Sequence, residues 1–394
     1  MDTDPRATVD MDYITTPWSF RVRKALRYVS LFGLRRTYVK IAGQYHMRRK
    51  YSVLPANFRP ASSKARVGLI GCGSFAFTAI AHYLTKNYGQ IIRGCMDIDV
   101  NHAASLCHYY DASYYTTEAD RLIADPDIDL VFIASNHATH AEYAIQALKA
   151  GKHVHIEKPH VVSQEQLDRL VSVMRQYPRS KVFLGFNRPR SPLFKQLQQF
   201  LTRESGPLMV NWFIAGHEIP EGHWYFDEQE GGRVLGNLCH WTDLTLHLVT
   251  MEKAFPCTIV SATPVGSKSD FVVSAIFADE SCASITFSAK GHTFEGVREV
   301  LNLHKGNLLA NLTDFQTLTV DVVERKKKVR LRHRDHGHEV SLVHSLNATT
   351  SGNTSGEDIA YVAATARFYL AIRQAIDSGK TVVVSREDIT GVAG

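Results

Sequence analysis

A short apolar strand that leads directly into a glycine-rich turn constrains the fold of this chain more than any other feature. Arg66–Ile70 has the composition of a buried strand, and the sequence GCGSFA follows at 71–76 and opens a helix. In a GxGxxA turn the first glycine permits the tight bend, the second lets a phosphate approach the backbone, and the small third residue lets helix and strand pack closely. The first N–H groups of the helix can donate to a pyrophosphate. The pattern predicts a dinucleotide-binding turn formed by Gly71, Gly73, Ser74, Phe75 and Ala76.

A carboxylate ends the second predicted strand. Ile91–Met96 is apolar and is followed by Asp97, 26 residues after Gly71. A carboxylate at this position accepts hydrogen bonds from the ribose hydroxyls and repels a 2′-phosphate. Asp97 therefore favours NAD over NADP as the cofactor, and Asp99 is the alternative candidate for the same role.

Strand and helix patterns alternate as far as residue 187 and then change. The first part continues with predicted strands Asp129–Ala134, His153–Ile156 and Lys181–Phe186 and predicted helices Ala141–Ala150 and Gln164–Gln176. This alternation is typical of a doubly wound parallel sheet. The second part has short alternating strands at Met209–Ala215, Thr258–Ala262, Phe271–Phe277, Ala283–Ala289, Val300–His304 and Leu318–Val323. The prediction is an α/β chain, with a Rossmann domain followed by an α+β domain that has a large, mostly antiparallel, open-faced sheet.

These patterns divide the chain into four predicted segments. A basic N-terminal extension covers 1–64, of which 1–15 are predicted to be disordered. The Rossmann domain covers 65–187, and the α+β domain for substrate binding and oligomerisation covers 188–357. The segment 358–394 is a C-terminal helix and tail predicted to pack back on the body, with Ile359–Ser378 as the helix and Gly379 as its end. The polar stretch 347–356 predicts a flexible loop.

The N-terminal extension concentrates the positive charge. Between Phe20 and Lys64 there are twelve basic and no acidic residues, whereas the whole chain has a net charge of +6. Apolar residues recur among the charges with near-helical spacing, which predicts one or two amphipathic helices broken near Gly33 and ending before Pro55. Their apolar stripe could pack against the body or a sister subunit. Alternatively, the segment 20–64 could contact an anionic membrane surface or hold a polyanionic ligand. Nucleic acid is disfavoured because no recognition motif accompanies the charge.

Cysteine usage and hydropathy indicate the compartment. The six cysteines are scattered, show no CxxC spacing and lie partly in apolar runs, which favours reduced thiols over disulfides or a zinc site. No apolar run approaches the length of a membrane span, and the N-terminus lacks the apolar stretch of a signal peptide. These features predict a soluble cytoplasmic protein. The histidine-rich run HRDHGH at 333–338 lacks repeated ligand spacing, so no metal site is predicted.

The segment HVHIEKPH, residues 153–160, holds the first candidate for proton transfer. It is a buried strand that runs into Glu157 and Lys158 and is stopped by Pro159. Parallel sheets bind ligands at the carboxyl ends of their strands, and an amine beside a carboxylate has a tunable pKa. Lys158 is therefore a candidate catalytic residue, although a surface Lys–Glu pair would have the same sequence.

Four motifs in order resemble the glucose–fructose oxidoreductase/inositol dehydrogenase (Gfo/Idh/MocA) family. They are IGCGSFA, FIASNHATHAEYAIQALKAGKHVHIEKP, LGFNRPRSP and HWYFDEQEGGRVLGNLCHWTDL. The resemblance covers residues 66 to roughly 250 well and the remainder only in architecture. It implies a nicotinamide cofactor whose reactive ring lies near Lys158, with Glu157 beside the cofactor. It also implies cofactor contacts from the loop Ser135-Asn136-His137, where the family often has Thr-Pro-Asn, and from His140, which matches the family histidine. His137 in that loop resembles members linked to surface-polysaccharide sugars.

The resemblance implies a second catalytic residue in the downstream motif. His240 could act as general acid or base on a sugar hydroxyl, or could be an ordinary core histidine. Many members place an aspartate four residues before it, where this chain has Gly236, with Asn237 beside it. This departure alters the proton relay and leaves open a weak or non-redox role, while Asp243 could orient the imidazole or serve as a cap. The candidates for substrate contact are His160, Arg188, His217, His223, Trp224, Arg233, Asn237 and Trp241.

The function predicted from the sequence is an NAD-dependent oxidoreductase that acts on a secondary hydroxyl of a sugar or nucleotide sugar. The alternatives are a redox-assisted glycosidase or epimerase with tightly bound NAD, and a non-catalytic NAD-binding partner or scaffold. NADP is the less favoured cofactor because of Asp97. A homodimer or homotetramer is expected, since the family commonly uses the free face of the sheet for dimerisation.

Overall fold

The computed structural model describes residues 16–219, 222–264, 267–290, 294–350 and 355–393. The chain forms two compact units, each made of segments that are separated in the sequence. The first unit contains the described chain up to Thr37, Arg188–Gly337 and Arg367–Asp388, and the second contains Tyr38–Asn187, His338–Ala366 and the chain from Ile389.

The second unit is built around a six-stranded parallel sheet in the order β3-β2-β1-β4-β5-β6. Helices on both faces bury its strands, so β1 and β4 are apolar at nearly every position. The strands are β1 Val67–Ile70, β2 Ile92–Met96, β3 Tyr114–Thr116, β4 Leu130–Ile133, β5 His153–Ile156 and β6 Val182–Leu184. The order reverses beside β1, and ligands of such sheets bind at that point.

Helices connect these strands and complete the unit. The helix after β1 starts with a π-helical stretch, Ala76–Ala81, and continues as α3. The α-helices that belong wholly or partly to this unit are α2 Leu34–Met47, α3 His82–Tyr88, α4 Val100–Tyr109, α5 Ala119–Ile123, α6 His137–Lys149, α7 Gln164–Gln176, α11 His338–Thr350, α12 Ile359–Ser378 and α13 Arg386–Ala393. Three of these helices, α2, α12 and α13, begin in one unit and end in the other.

The first unit contains a nine-stranded sheet in the order β14-β13-β12-β11-β7-β10-β9-β8-β15. Every neighbouring pair is antiparallel except β7 and β10, which run parallel. The strands are β7 Leu208–Ala215, β8 Cys257–Ala262, β9 Phe271–Ile276, β10 Cys282–Ser288, β11 Arg298–Lys305, β12 Leu308–Thr313, β13 Thr317–Val322, β14 Arg325–Arg330 and β15 Val382–Val384. Side chains alternate between a buried and an exposed face along β7 and β9.

Helices α8 Pro192–Leu201 and α9 Cys239–Val249 contact the strands of this sheet. The same unit contains α1 Trp18–Phe32, α10 Met251–Ala254 and the C-terminal part of α12. The core includes Trp212, Trp241 and Phe287, each no more than 2% exposed. The other face exposes Met209, Phe213 and Ile276.

The predicted fold class is confirmed, and several elements are confirmed with it. The helices Gln164–Gln176 and Ile359–Ser378 occur with the predicted bounds, and Gly379 ends the latter with a φ of +65°. The sequence analysis predicted no strand at β3, β12, β14 and β15. Of these, β3 and β15 have only three residues each, and β14 is highly charged. The loop predicted for 347–356 is wrong at its start, because α11 continues to Thr350. Its residues 351–354 lie outside the described residues, as do residues 1–15, which were predicted to be disordered.

The basic N-terminal segment forms two helices that meet at Gly33, as predicted. Gly33 has a φ of +84°, and its backbone N–H donates to Val29, which ends α1. In the first unit the carbonyl of Leu31 accepts a hydrogen bond from the backbone N–H of Arg334 at 2.8 Å. Part of the apolar surface of the two helices is therefore packed against the body, while Trp18 and Leu34 remain largely exposed.

Among the helices that the structure describes, none combines the length and the hydropathy that a membrane span requires.

Two phenylalanines on neighbouring strands test the assignment of the two sheet faces. Phe287 on β10 is 2% exposed, whereas Phe213, opposite Thr286 on β7, is 49% exposed. We expect Phe287→Ala to lower the free energy of unfolding by about 3–5 kcal/mol, because it leaves a cavity in the core. Phe213→Ala should change it by less than about 1 kcal/mol. Urea denaturation of both variants checks this, and equal losses would contradict the assignment.

Candidate functional site

The turn after β1 has the geometry that a dinucleotide requires. Gly71 has a φ of +85°, and a Cβ there would lie 2.5 Å from the backbone of Ala134 and Ser135. No side chain is tolerated at this position, because the turn is in contact with the end of β4. A Cβ on Gly73 would meet no atom within 4 Å, so the second glycine leaves open space beside the start of the helix. The residues fit a pyrophosphate at this turn.

Asp97 is bonded to this turn. Its Oδ2 accepts a hydrogen bond from the backbone N–H of Cys72 at 2.7 Å, and its Oδ1 accepts one from the backbone N–H of Asp99 at 2.9 Å. Asp99 has a different role, because its side chain caps α4 through Asn101 and pairs with Lys50 at 2.6 Å. The hydrogen bond from Lys50 holds the pKa of Asp99 well below its usual range. Of the two candidate carboxylates, Asp97 is the one in contact with the glycine turn.

The loop after β4 places its residues in different environments. Asn136 is exposed and precedes α6, whereas His137 is buried. The hydroxyl of Ser135 bonds that of Thr139 at 2.7 Å, a partner that the sequence analysis did not single out.

His140 links the loop after β4 to the loop after β5 in the second unit. Its Nδ1 lies 2.7 Å from the carbonyl oxygen of Pro159, and its Nε2 lies 3.0 Å from that of Ser135. Burial lowers the pKa of His140, so the ring is neutral and can donate to only one carbonyl. We assign the proton to the shorter contact with Pro159. His140 thus supports the loops instead of presenting a nitrogen to a ligand.

Glu157 and Lys158 follow the end of β5. Glu157 is 7% exposed, and its Oε1 lies 3.5 Å from Nε2 of the buried His155. A Cβ on Gly185 would lie 2.7 Å from the Glu157 carboxylate, so glycine at 185 makes room for that side chain. Lys158 itself is only partly buried.

His160 lies in the interior of the second unit. It is fully buried, and its Nε2 donates to the carbonyl of Val362 at 3.0 Å. Burial lowers the pKa of His160 to about 4, which keeps the ring neutral. The structure therefore gives this predicted substrate residue a packing partner in α12.

In the first unit, Arg188 and Trp241 bind a buried carboxylate that the sequence analysis did not identify. Glu299 on β11 is 1% exposed and accepts hydrogen bonds from Nε of Arg188 at 2.9 Å and from the indole N–H of Trp241 at 2.8 Å. His336 approaches its other oxygen at 3.0 Å. The Arg188 guanidinium also lies over the Trp241 ring, 5.0 Å from the centroid. The polar groups of Arg188 and Trp241, two predicted substrate residues, thus form hydrogen bonds to Glu299 inside the unit.

The pKa of Glu299 is set by opposing effects. Burial acts to raise the pKa, but the charge of Arg188 and the contacts with His336 outweigh it and lower the pKa to about 2. The carboxylate is therefore ionised at neutral pH and compensated by its partners. The histidine-rich run at 333–338 contributes to this buried network through His336.

A second group of predicted residues surrounds the start of α9. Arg233 is 3% exposed, its Nη1 donates to Oδ1 of Asn237 at 3.0 Å, and its Nη2 donates to the carbonyl of His217. Nδ1 of His223 accepts the backbone N–H of Tyr225 at 3.2 Å. Burial lowers the pKa of the Arg233 guanidinium. The partly exposed Trp224 lies next to this group, with its ring 4.8 Å from that of Tyr225.

His240 lies near the N-terminus of α9 and is partly exposed. Asp243, which the sequence left as a possible orienting group, is fully buried, and its Oδ2 lies 3.7 Å from Nε2 of His247. At the position of the usual family aspartate, the carbonyl of Gly236 accepts a hydrogen bond from the Tyr225 hydroxyl at 3.1 Å. Tyr225 therefore binds the backbone of Gly236, and Arg233 binds the side chain of Asn237.

The predicted residues separate by unit. The second unit contains all the predicted cofactor residues together with Lys158 and His160, and the first contains His240 and the remaining substrate candidates. Sequence reasoning missed Glu299, Thr139 and His46. The signal for Glu299 would have been an acid at a position of β11 that alternation places on the same face as Leu301 and Leu303.

Residues 65–186, which include the glycine turn and Asp97, match the model of GFO_IDH_MocA, described as an oxidoreductase family with an NAD-binding Rossmann fold. Residues 65–186 are thus a Rossmann domain of the Gfo/Idh/MocA type. An inositol 2-dehydrogenase from Ralstonia nicotianae is 32% identical over 152 residues, which are 37% of this chain and 44% of that protein. The chain thus spans less than half the length of this curated Gfo/Idh/MocA relative.

Solved structures share the fold over most of the chain. A levoglucosan dehydrogenase in complex with NADH and levoglucosan has a TM-score of 0.69 at 18% identity, covering 81% of this chain and 99% of that one. A 3-ketoreductase from Actinomadura kijaniata in complex with TDP-benzene and NADP has a TM-score of 0.67 at 16% identity, covering 80% and 97%. At these identities the likeness shows the fold alone.

The buried carboxylate generates a prediction for stability and its pH dependence. We expect Glu299→Gln to lower the free energy of unfolding by about 3–5 kcal/mol at pH 7, because Arg188 loses its buried counterion. The low folded-state pKa stabilises the wild type above pH 4.5, and this contribution, about 3 kcal/mol, is lost as the pH falls towards 2.

Chemical denaturation between pH 7 and pH 2 measures this. The difference between wild type and Glu299→Gln should shrink through the window from 4.5 to 2. Glu324→Gln, at an exposed carboxylate, is the matched control and should follow the wild type. A constant difference at all pH values would contradict the role of ionised Glu299.

The two glycines of the turn should respond differently to alanine. Gly71→Ala should lower the free energy of unfolding by at least about 2 kcal/mol, since the methyl group would overlap the backbone at 134–135 at a positive φ. Gly73→Ala should leave stability within about 1 kcal/mol and weaken NAD binding at least about tenfold, because its methyl group occupies the space of the phosphate. Urea denaturation and calorimetric titration with NAD separate the two effects, and unchanged NAD affinity in Gly73→Ala would contradict a phosphate at this turn.

Proposed function

We propose that this protein is an NAD-dependent oxidoreductase that interconverts a secondary hydroxyl and a ketone on a sugar or nucleotide-linked sugar. The observation that carries the proposal is the glycine turn with its bonded carboxylate, Cys72 N–H to Asp97, within the residues that match the oxidoreductase family. The named relative acts on inositol, a cyclic polyol, which supports a hydroxylated ring as the substrate class.

The second unit supplies residues that fit the cofactor. The turn at Gly71–Ala76 would hold the pyrophosphate, and Asp97 would accept hydrogen bonds from the adenosine ribose. Ser135, Asn136, His137 and Glu157 are proposed for the remaining contacts. NAD supplies the acceptor or donor of the hydride when it is bound.

Charge at the end of β2 supports NAD over NADP. Asp97 and Asp99 both place carboxylates there, and a 2′-phosphate would be repelled by them. The cation nearest to them in the described contacts, Lys50, is already paired with Asp99 at 2.6 Å. A structural neighbour was solved with NADP, so affinities for NAD and NADP should be compared directly.

Proton transfer is proposed for Lys158 and His240. Lys158 follows the carboxyl end of β5 and the buried Glu157, where a parallel sheet presents its chemistry. His240 is partly exposed near the start of α9. Either group can accept a hydroxyl proton from the substrate when a hydride leaves the same carbon.

Substrate recognition is proposed for the group at the start of α9. His223, Trp224, Arg233 and Asn237 combine a ring face with hydrogen-bond donors and acceptors suited to a sugar. Arg188 and Trp241 are proposed as supports for this helix, because Glu299 already binds their polar groups. His160 is proposed as a support for α12, because its ring donates to the carbonyl of Val362.

Lys158 gives the direct test of the proposed chemistry. We expect Lys158→Met to reduce kcat about a hundredfold or more, because general acid–base catalysis contributes at least that factor, while the Kd for NAD changes less than about twofold. Formation of NADH with a panel of free and nucleotide-linked sugars measures kcat, and calorimetry measures Kd. Lys149→Met, at an exposed lysine at the end of α6, is the matched control.

Two outcomes would contradict the proposal. Turnover by Lys158→Met at the wild-type rate would remove this lysine from the chemistry. NAD binding by the wild type without turnover of any sugar would instead favour a non-catalytic NAD-binding protein, which the glycine at 236 keeps as the second candidate.

A further inference from the structure

The N-terminal segment outside the matched family residues contacts the backbone of the glycine turn. His46, on α2, is 3% exposed, and its Nε2 lies 2.7 Å from the carbonyl oxygen of Cys72, between the two glycines. Its Nδ1 lies 2.9 Å from the hydroxyl of Ser105 on α4, and its ring stacks on Phe77 at 4.3 Å. These residues all belong to the second unit.

The partners define the tautomer of His46. A carbonyl oxygen can only accept, so the Nε2–H donates to Cys72, and Nδ1 accepts the hydroxyl hydrogen of Ser105. Burial lowers the pKa of His46 to about 4, although the bond to Cys72 acts to raise it. The ring is neutral at physiological pH, and both nitrogens are satisfied.

Both backbone polar groups of Cys72 are therefore hydrogen-bonded. The backbone N–H of Cys72 donates to Asp97 at 2.7 Å, and its carbonyl accepts from His46. In the trans peptide between Cys72 and Gly73, the C=O and N–H groups point in opposite directions. The N–H of Gly73 consequently points away from His46. A flipped peptide would instead present a carbonyl oxygen there, which repels an anion.

Other residues of the N-terminal segment also contact the elements around the glycine turn. A Cβ on Gly43 would lie 2.4 Å from Cγ2 of Thr78, so α2 packs closely against the helix that follows the turn. Beyond α2, Lys50 pairs with Asp99, and the backbone N–H of Tyr51 donates to Oδ1 of Asn101 at 2.9 Å. Residues 38–51 thus contact both the glycine turn and the start of α4.

We propose that residues 38–51 are part of the dinucleotide site and that His46 is a positioning residue, which holds the Cys72–Gly73 peptide with its N–H available to the pyrophosphate. This inference rests on the proposed NAD-binding function. It assigns a binding role to a segment that lies outside the family match at 65–186. The basic composition of the segment is compatible with holding a polyanionic ligand, but it did not indicate His46 or the glycine turn as the place of contact.

Calorimetric titration of the full-length protein with NAD, ADP-ribose and adenosine tests the inference. His46→Phe keeps an aromatic ring on Phe77 and removes both hydrogen bonds. We expect it to weaken NAD and ADP-ribose binding about ten- to a hundredfold, the equivalent of one hydrogen bond to a charged group. Adenosine has no phosphate, so its affinity should stay within about twofold. Tyr45→Phe, at the exposed neighbouring residue, is the control and should bind all three as the wild type does.

A second pair of variants perturbs the packing of the same face of α2, because Gly43 lies one turn before His46. Gly43→Ala should displace α2 and weaken NAD and ADP-ribose binding in the same way, because the new methyl group overlaps Thr78. Gly43→Ala combined with Thr78→Ser removes the overlapping Cγ2 and should restore affinity to within about threefold. This pair decides the question if thermal melting shows that His46→Phe does not fold.

The outcomes separate this inference from the proposed function. A wild type that binds neither NAD nor ADP-ribose overturns both. A wild type that binds them, with equal affinity in folded His46→Phe or in Gly43→Ala, overturns the inference alone. A parallel loss of adenosine affinity would show a general packing defect and would also overturn the positioning role.

Discussion

The close approach between the glycine turn and the end of β4 is the constraint on which the second unit depends. Gly71 lies so near the backbone of Ala134 and Ser135 that no Cβ fits, and this contact sets where the helix after β1 begins. Two further contacts hold the same turn, from Asp97 at the end of β2 and from His46 on α2. Three separate parts of the chain thus determine the direction of a few backbone N–H groups. Such groups bind an anion well only when they are held before it arrives.

The first unit places a charge where a core would be expected. Glu299 is buried on the covered face of the nine-stranded sheet and is compensated by Arg188, with Trp241 and His336 completing its hydrogen bonds. A buried ion pair is costly to form and more costly to break, so it adds specificity of arrangement more than net stability. Here it joins Arg188, the helix α9 and the strand β11, and so positions the helix that carries His240.

The Rossmann part was predictable from the sequence because its signals are local. A strand, a GxGxxA turn and a helix follow each other between residues 67 and 88, and the apolar runs of β1 and β4 are visible without any tertiary information. Two of the missed strands carry no such signal: β14 is RKKKVR, exposed at nearly every position, and β3 has three residues with two tyrosines. These segments become strands because an adjacent edge offers backbone hydrogen bonds, and the sequence does not show that edge.

The sequence by itself determined the fold class, the position of the glycine turn, the family resemblance and the candidates Asp97, Lys158 and His240. It could do so because residue types at fixed spacing carry that information. Only the tertiary structure decided which polar side chains are hydrogen-bonded within the protein. Arg188, Trp241, His140 and His160 have the same residue types as ligand-binding groups, but each is bonded within its own unit. Only the tertiary structure also showed that His46, separated from Cys72 by 26 residues, bonds the glycine turn. Hydrogen-bond partners depend on which distant segments meet, and that proximity is a property of the folded chain.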